Sequence, residues 1–295
     1  MMSFGDEPPL FRPPAEADSL IVRVAYGCPH PACAFCGMYR TALYSARAAD
    51  EVSAEIRAAA RERPQTRRVF LADGDALHLG YERLAVLLDE LAASFPFLAR
   101  VNSYANGSSI LALGRERLSA LCDRGLDTLY MGLESGNAEV LRQMGKAESV
   151  DRMVEAGALA RACGLKMSVM VLLGLAGPEG SEAHARATAA ALNRMQPRLL
   201  SALRVIPVPG TPLDRWEKSG AFRMLTEQEA VRELRDLVAA LELNGTVFRA
   251  NHASNVLPVE ARFPRDRDAL LASFDALLAS GRLDGSRPAP RPLWL

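Results

Sequence analysis

Three of the five cysteines, Cys28, Cys33 and Cys36, fall within nine positions of the segment Tyr26-Gly27-Cys28-Pro29-His30-Pro31-Ala32-Cys33-Ala34-Phe35-Cys36-Gly37-Met38-Tyr39. Thiolates are soft ligands for transition metals and iron-sulfur clusters, and a closely spaced trio caps three corners of one cluster. Residue types alone leave two other readings open, a zinc knuckle with His30 as fourth ligand and a purely structural cluster. Tetrahedral zinc usually draws its ligands from two separated pairs, whereas these four would share a single loop. Cys122 and Cys163 stand in helical patterns beside Leu121 and Ala162, where a buried thiol behaves as a small apolar side chain.

Further polar groups recur just after short apolar runs. They are Asp73-Gly74-Asp75, Asn102-Ser103-Tyr104, Glu134-Ser135-Gly136, Gly174 with Gly177, and Ile206-Pro207 leading into Pro209-Gly210-Thr211-Pro212. Each has an ordinary structural reading beside a functional one. Asp73 and Asp75 suit a solvated turn or a helix cap, Glu134 a cap or an ion pair, and the glycines tight turns. Tyr39 and Tyr104 would by default be half-buried with a hydroxyl partner. His184 reads as a capping or surface position on a helix. The dense polar group Asn251-His252-Ala253-Ser254-Asn255 either lines a pocket or ties a loop.

The elements that must carry these residues alternate. Short apolar runs at Leu20–Ala25, Arg68–Ala72, Ala99–Ser103, Thr128–Gly132, Lys166–Leu173 and Leu200–Ile206 predict six strands. Between them, apolar residues at three-to-four spacing predict helices over Asp50–Ala60 (with Asp50 as N-cap), Tyr81–Ser94, Arg115–Asp123, Ser149–Cys163 and Ser181–Met195. Such alternation implies right-handed βαβ units and a parallel sheet, six units in all. Beyond Pro212 the rhythm changes to helices at Thr226–Leu243 and Asp266–Ser280 with a brief strand at Thr246–Phe248. The chain thus divides into a Pro-rich tail over 1–17, laid on the surface or disordered, an α/β domain over 18–220 and an extension over 221–295.

Hydrophobic residues make up 49% and charged ones 24%, which excludes disordered and collagen-like chains. Lys plus Arg equals Asp plus Glu at 35 each, so no overall basic field gathers nucleic acid or an anionic membrane. The first residues lack the apolar region of a signal peptide and no run of about 18 apolar residues occurs, so a cytoplasmic protein without membrane partners is expected. A reducing compartment suits clustered thiols.

Taken in order, these motifs resemble those of the radical S-adenosylmethionine (SAM) enzymes. The common loop of that family is Cys-x3-Cys-x2-Cys with an aromatic residue before the last cysteine, the place of Phe35. This chain has one residue more between Cys28 and Cys33. The resemblance covers about residues 20 to 215, is strongest to HemN-like and MiaB-like enzymes, and implies a partial (βα)6 TIM-like barrel, whose mouth the mainly helical C-terminal extension read from the pattern is expected to cover. It implies a 4Fe-4S cluster on Cys28, Cys33 and Cys36 whose open iron takes the amino and carboxylate groups of SAM.

The same resemblance makes Phe35, Asp73, Gly74, Asp75, Ser103, Glu134, Ser135, Gly174, Ile206 and Pro207 cofactor contacts. Backbone carbonyls around Asp73 would hold the methionine amino group, Glu134 the ribose or methionyl end, and the backbone near Pro207 the adenine. An electron from a donor such as flavodoxin or ferredoxin would cleave SAM to a 5′-deoxyadenosyl radical that takes hydrogen from a small-molecule substrate. Tyr39, Tyr104, His252 and Asn255 are weaker catalytic candidates. No further cysteine cluster or appended cobalamin domain is visible, which points away from sulfur insertion and cobalamin-dependent methyl transfer. The rival from another class is an iron-sulfur binding or redox-sensing protein without SAM chemistry.

Overall fold

The computed structural model describes residues 10–39 and 44–288. It shows a mixed, mostly parallel β-sheet flanked by helices, the arrangement of a partial (βα) barrel with a helical extension. Two compact units make up the chain.

The first unit comprises the described residues up to Pro31, then Met38–Met131 and Leu159–Lys166. Its strands in the main sheet are β1 (Leu20–Arg23), β2 (Arg68–Ala72), β3 (Arg100–Tyr104) and the first part of β4 (Leu126–Glu134), and Ala25–Tyr26 pairs separately with Ser45–Ala46. β1 pairs with β2, β2 with β3 and β3 with β4, all parallel, with a register shift between Val101 and Asn102. Side chains alternate across a sheet and register partners share a face. Arg23, Phe70, Asn102 and Tyr104 therefore stand on one face, and Val69, Leu71, Val101 and Ser103 on the other. Both faces are buried, as in parallel sheets generally. Helix α1 (Ala49–Glu62) buries Val52 and Ile56 and packs on β1 and on α2 (Tyr81–Ser94), which in turn packs on α3 (Gly107–Asp123).

The second unit comprises Ala32–Gly37, Gly132–Ala158 and the chain from Met167 onward. Here β5 (Lys166–Leu173), β6 (Leu199–Arg204) and β7 (Thr246–Arg249) pair in parallel, and β8 (Glu260–Phe263) adds an antiparallel edge. The helices are α4 (Ala138–Gln143), most of α5 (Val150–Ala162), α6 (Gly177–Met195), α7 (Pro212–Lys218), α8 (Glu227–Ala240) and α9 (Arg267–Ala279). α8 packs along α6, and α9 on α8. Thr226 and Glu229 form a reciprocal capping box that starts α8, and Thr211 caps α7 with Pro212 in its first turn.

The expected strand and helix alternation is present, with several local differences. Helix α1 starts one residue before Asp50, after Ala48 as N-cap, so Asp50 lies in the first turn. Helix α3 starts eight residues before the expected Arg115 and bends at Gly114, whose φ is 70°. The tail is not merely surface: Glu16 is 1% exposed, accepting hydrogen bonds from Ser19 Oγ (2.6 Å), Asn102 Nδ2 (2.8 Å) and Tyr130 Oη (2.5 Å).

Candidate cofactor site at the strand ends

In the first unit the chain leaves β2 through Asp73-Gly74-Asp75. Asp73 is buried and receives Arg23 Nε at 3.1 Å and the Tyr39 hydroxyl at 3.3 Å. Burial pushes its carboxyl above the usual carboxylate range against the opposing pull of Arg23. Burial also raises the Tyr39 phenol, aided by Asp73, so Tyr39 stays protonated and donates. Its ring meets Phe11 edge-on at 6.0 Å. Asp75 accepts from Ser109 Oγ at 2.6 Å. Gly74 is required by close approach: a Cβ there would lie 2.8 Å from Cys28 Cβ and 2.9 Å from the Gly27 carbonyl. Cys28 itself follows β1, and its sulfur accepts the His30 N–H at 3.4 Å. His30 Nε2 lies 3.3 Å from Ser108 Oγ.

Tyr104 ends β3 inside an aromatic cluster with Phe70 (5.0 Å) and Tyr130 (6.3 Å), and burial raises its phenol too. Ser103, by contrast, is fully buried on the opposite face and donates to the Tyr104 carbonyl.

In the second unit the loop segment Ala32–Gly37 is fixed by backbone. Ala34 N–H donates to Met144 O (2.8 Å) and Ala34 O accepts from Leu213 N–H (3.1 Å). Ala34 belongs to an apolar cluster with Val140, Met144, Leu175, Val205 and Leu213, and Phe35 packs against it. Cys33 is buried and Cys36 half-buried, joined by a Cys36 N–H to Cys33 carbonyl bond of 3.2 Å.

Glu134 ends β4 with φ at 63°, a conformation uncommon outside glycine. Its carboxylate folds back toward Lys146 Nζ at 3.5 Å. It passes over Gly132, where a Cβ would lie 1.9 Å from Glu134 Oε1. Burial raises the Glu134 carboxyl and Lys146 pulls it down. Ser135 Oγ accepts the Asn137 N–H at 2.9 Å. Gly174, after β5, donates its N–H to Glu233 Oε1 at 2.7 Å. Glu233 also receives the Ser181 hydroxyl and lies 3.0 Å from His184 Nδ1. His184 is thus 2% exposed rather than at the surface. Ile206 and Pro207 are buried just past β6.

Within the polar group of the extension, Ser254 N–H donates to His252 Nδ1 at 3.1 Å, and burial lowers the His252 imidazole. Ser254 O accepts Arg204 Nε at 2.7 Å and Asn255 Nδ2 donates to Ala202 O at 2.9 Å, which ties this loop to β6. Arg23, Lys146 and Glu233 are absent from the motif reading. A charged residue closing an apolar strand is the one local signal that marks Arg23.

Cys28, Asp73 and Tyr104 in the first unit, and Glu134, Gly174 and Ile206 in the second, therefore stand at or just past the C-terminal ends of their strands, the end where parallel α/β folds bind ligands, whereas His252 and Asn255 follow β7. Among the described residues no group of three or more His, Cys, Asp or Glu side chains is gathered closely enough to hold a single metal ion. The donor chemistry nonetheless suits an iron-sulfur cluster: three cysteines of one loop, none in a disulfide, with the Cys28 sulfur already accepting an amide N–H. Among the described residues no helix is long and apolar enough to cross a membrane.

No curated protein matches this chain. Solved structures do share its fold. The radical SAM methyltransferase TsrM from Kitasatospora setae matches over 70% of this chain and 41% of its own at 18% identity and TM-score 0.54. Methylornithine synthase (PylB) matches over 92% and 83% at 16% identity and TM-score 0.54. The coproporphyrinogen III oxidase HemN from Escherichia coli, a radical SAM enzyme, matches over 75% and 51% at 17% identity and TM-score 0.55. The matched region is thus about half or less of the methyltransferase and the oxidase. The Radical SAM superfamily model matches residues 22–185, more than half of the sequence and the part that holds the cysteine loop, Asp73 and Glu134, so the protein belongs to the radical SAM superfamily.

Proposed function

We propose that this protein is a radical SAM enzyme that carries a 4Fe-4S cluster on Cys28, Cys33 and Cys36 and acts on a small-molecule substrate. The observation that carries this reading is positional: Cys28, Asp73, Tyr104, Glu134, Gly174 and Ile206 each stand at or just past the C-terminal end of a successive strand. When bound, the cluster and SAM supply a 5′-deoxyadenosyl radical, fed by an external donor such as flavodoxin or ferredoxin. The chain's own residues do the holding. Arg23 and Tyr39 fix Asp73, and with it the backbone of 73–75 that would face the methionine amino group. Glu134 offers a carboxylate to the ribose or methionyl end. Glu233 holds the amide of Gly174, and the buried backbone at Ile206 and Pro207 would meet adenine.

On its motifs the chain stands nearest the HemN-like and MiaB-like branch, with a barrel domain over 18–220 and an extension over 221–295. In this reading the Asn251–Asn255 loop, tied to β6 through Arg204 and Ala202, would border the substrate with His252 and Asn255 as its polar groups; the ties support a fixed loop.

Anaerobic reconstitution followed by reduction with SAM tests the reading. About four irons per chain are expected, together with release of 5′-deoxyadenosine, and both are lost when the three cysteines are changed to alanine. A full iron complement without SAM binding or cleavage would instead identify a redox-sensing protein.

A further inference from the structure

A second site lies in the first unit at the other end of the strands. A crevice of about 550 Å3 opens at the starts of β1, β2 and β3, lined chiefly by Arg63, Arg67, Arg68, Arg100, Thr66 and Asp18. Four arginines and one aspartate line it, in a chain whose formal net charge is zero. The fold enforces this crowding. Arg68 and Arg100 are register partners on β2 and β3, so two like charges stand directly opposite on one face, an arrangement that destabilises a sheet.

The molecule itself compensates little of that charge. Asp18 reaches Arg68 Nη2 at 3.0 Å, but its carboxylate is 83% exposed and well screened. Among the described residues no carboxylate lies within salt-bridge distance of Arg63, Arg67 or Arg100. Arg100 Nε is buried without a hydrogen-bond partner. Some exposed arginines elsewhere do have acidic neighbours: Arg142 has Glu139, Arg186 has Glu182 and Arg265 has Asp266. At the C-terminal end of α1 the Arg63 carbonyl accepts from Thr66 N–H (3.0 Å) and Thr66 Oγ1 (2.7 Å), which fixes the turn that carries Arg63 and Thr66.

We propose that this crevice binds the polyphosphate group of a small molecule. Guanidinium forks match phosphate oxygens two at a time, so a single phosphate engages one or two arginines whereas a chain of two or three phosphates satisfies all four. The volume falls in the usual range for small-molecule sites. The five residues of β2 separate the crevice from Asp73 by roughly 15 Å at the usual rise of a strand. The site is therefore independent of the cofactor chemistry proposed above.

Titration calorimetry on the full chain at low ionic strength tests the proposal with tripolyphosphate, ATP and adenosine. One saturable site is expected for tripolyphosphate and for ATP, and none for adenosine; tighter binding of ATP than of tripolyphosphate would mark a nucleotide as the ligand. The double variant Arg63→Glu/Arg67→Glu changes two exposed residues and should weaken binding by at least about tenfold, given the strength of charge-assisted phosphate contacts. Arg142→Glu/Arg186→Glu, which changes two exposed arginines of the second unit that do not line the crevice, should leave it within about threefold by the same reasoning. If the crevice variant fails to fold, Arg67→Ala alone should still weaken binding while leaving the melting temperature unchanged. Equal loss in the two double variants, absence of saturation, or tighter binding of a single-stranded RNA than of ATP would overturn the assignment.

Discussion

Asp73 in the first unit and Glu134 in the second both stand at a strand's C-terminal end, and burial raises both carboxyls above their ordinary range. Their surroundings divide them. Asp73 is gripped by a guanidinium at 3.1 Å and a phenol at 3.3 Å, whereas Glu134 has one longer contact, 3.5 Å, to the end of a lysine side chain. Lysine is a flexible point charge that rearranges readily, while arginine is a rigid fork. A carboxylate already engaged on both sides serves the architecture of its loop. One with a single loose partner remains available to a ligand.

The sharpest way to break this contrast is Asp73→Ala, which removes the carboxylate from the buried ion pair with Arg23. Breaking a buried pair in this way costs about 3–5 kcal/mol, readable as a fall in the urea midpoint. A loss below about 1 kcal/mol would show Asp73 to be no more structural than a surface ion pair. Next in size, Glu134→Gln should weaken SAM binding by roughly 10- to 100-fold, the range of a hydrogen bond to a charged group. The urea midpoint of this variant should stay close to that of the parent. Calorimetric titration checks the affinity, and an equal loss of SAM affinity in a folded Asp73→Asn variant would erase the distinction.

The smallest effect is the pH profile of Glu134. A carboxyl raised in the folded state binds more protons folded than unfolded, so its contribution falls as pH climbs from the ordinary value of 4.5 through the folded one. The parent protein should therefore lose stability relative to Glu134→Gln as pH rises from about 4 to about 8, in urea melts at each pH. A gap widening in the opposite direction would mean that Lys146 outweighs burial.

Much of this arrangement was legible in the sequence where the signal is local. Arg68–Ala72 and Lys166–Leu173 form strands over those same residues, because a compact apolar run ended by a turn residue has few alternatives. The start of α3 was hidden, since Gly107-Ser108-Ser109 reads as loop and Gly114 breaks the helical period. β8 was missed altogether: Glu260-Ala261-Arg262-Phe263 alternates exposed and buried, but an edge strand with only two apolar positions is too short a pattern to stand out. The buried state of Glu16 and His184 was illegible for a different reason. Their partners lie far along the chain, Tyr130 for one and Glu233 for the other, and a polar residue is buried only when such a partner meets it. The cysteine loop showed its chemistry through residue type, but nothing local announces that Gly74 must be bare for Cys28 to lie against it.

The carboxylate of Glu233 bears on how this protein can be cut and recombined. It sits on α8, in the extension, yet its hydrogen bonds go to Gly174, Ser181 and His184, around the end of β5 and the start of α6. Ending the chain near residue 220 would strand a buried imidazole and a buried amide with nothing to bond, and would strip the α8 packing from α6. The extension is therefore not a cassette to be exchanged at will. A chimaera that borrows a different C-terminal region must bring an acid to the place of Glu233, or rebuild Ser181 and His184 to live without one.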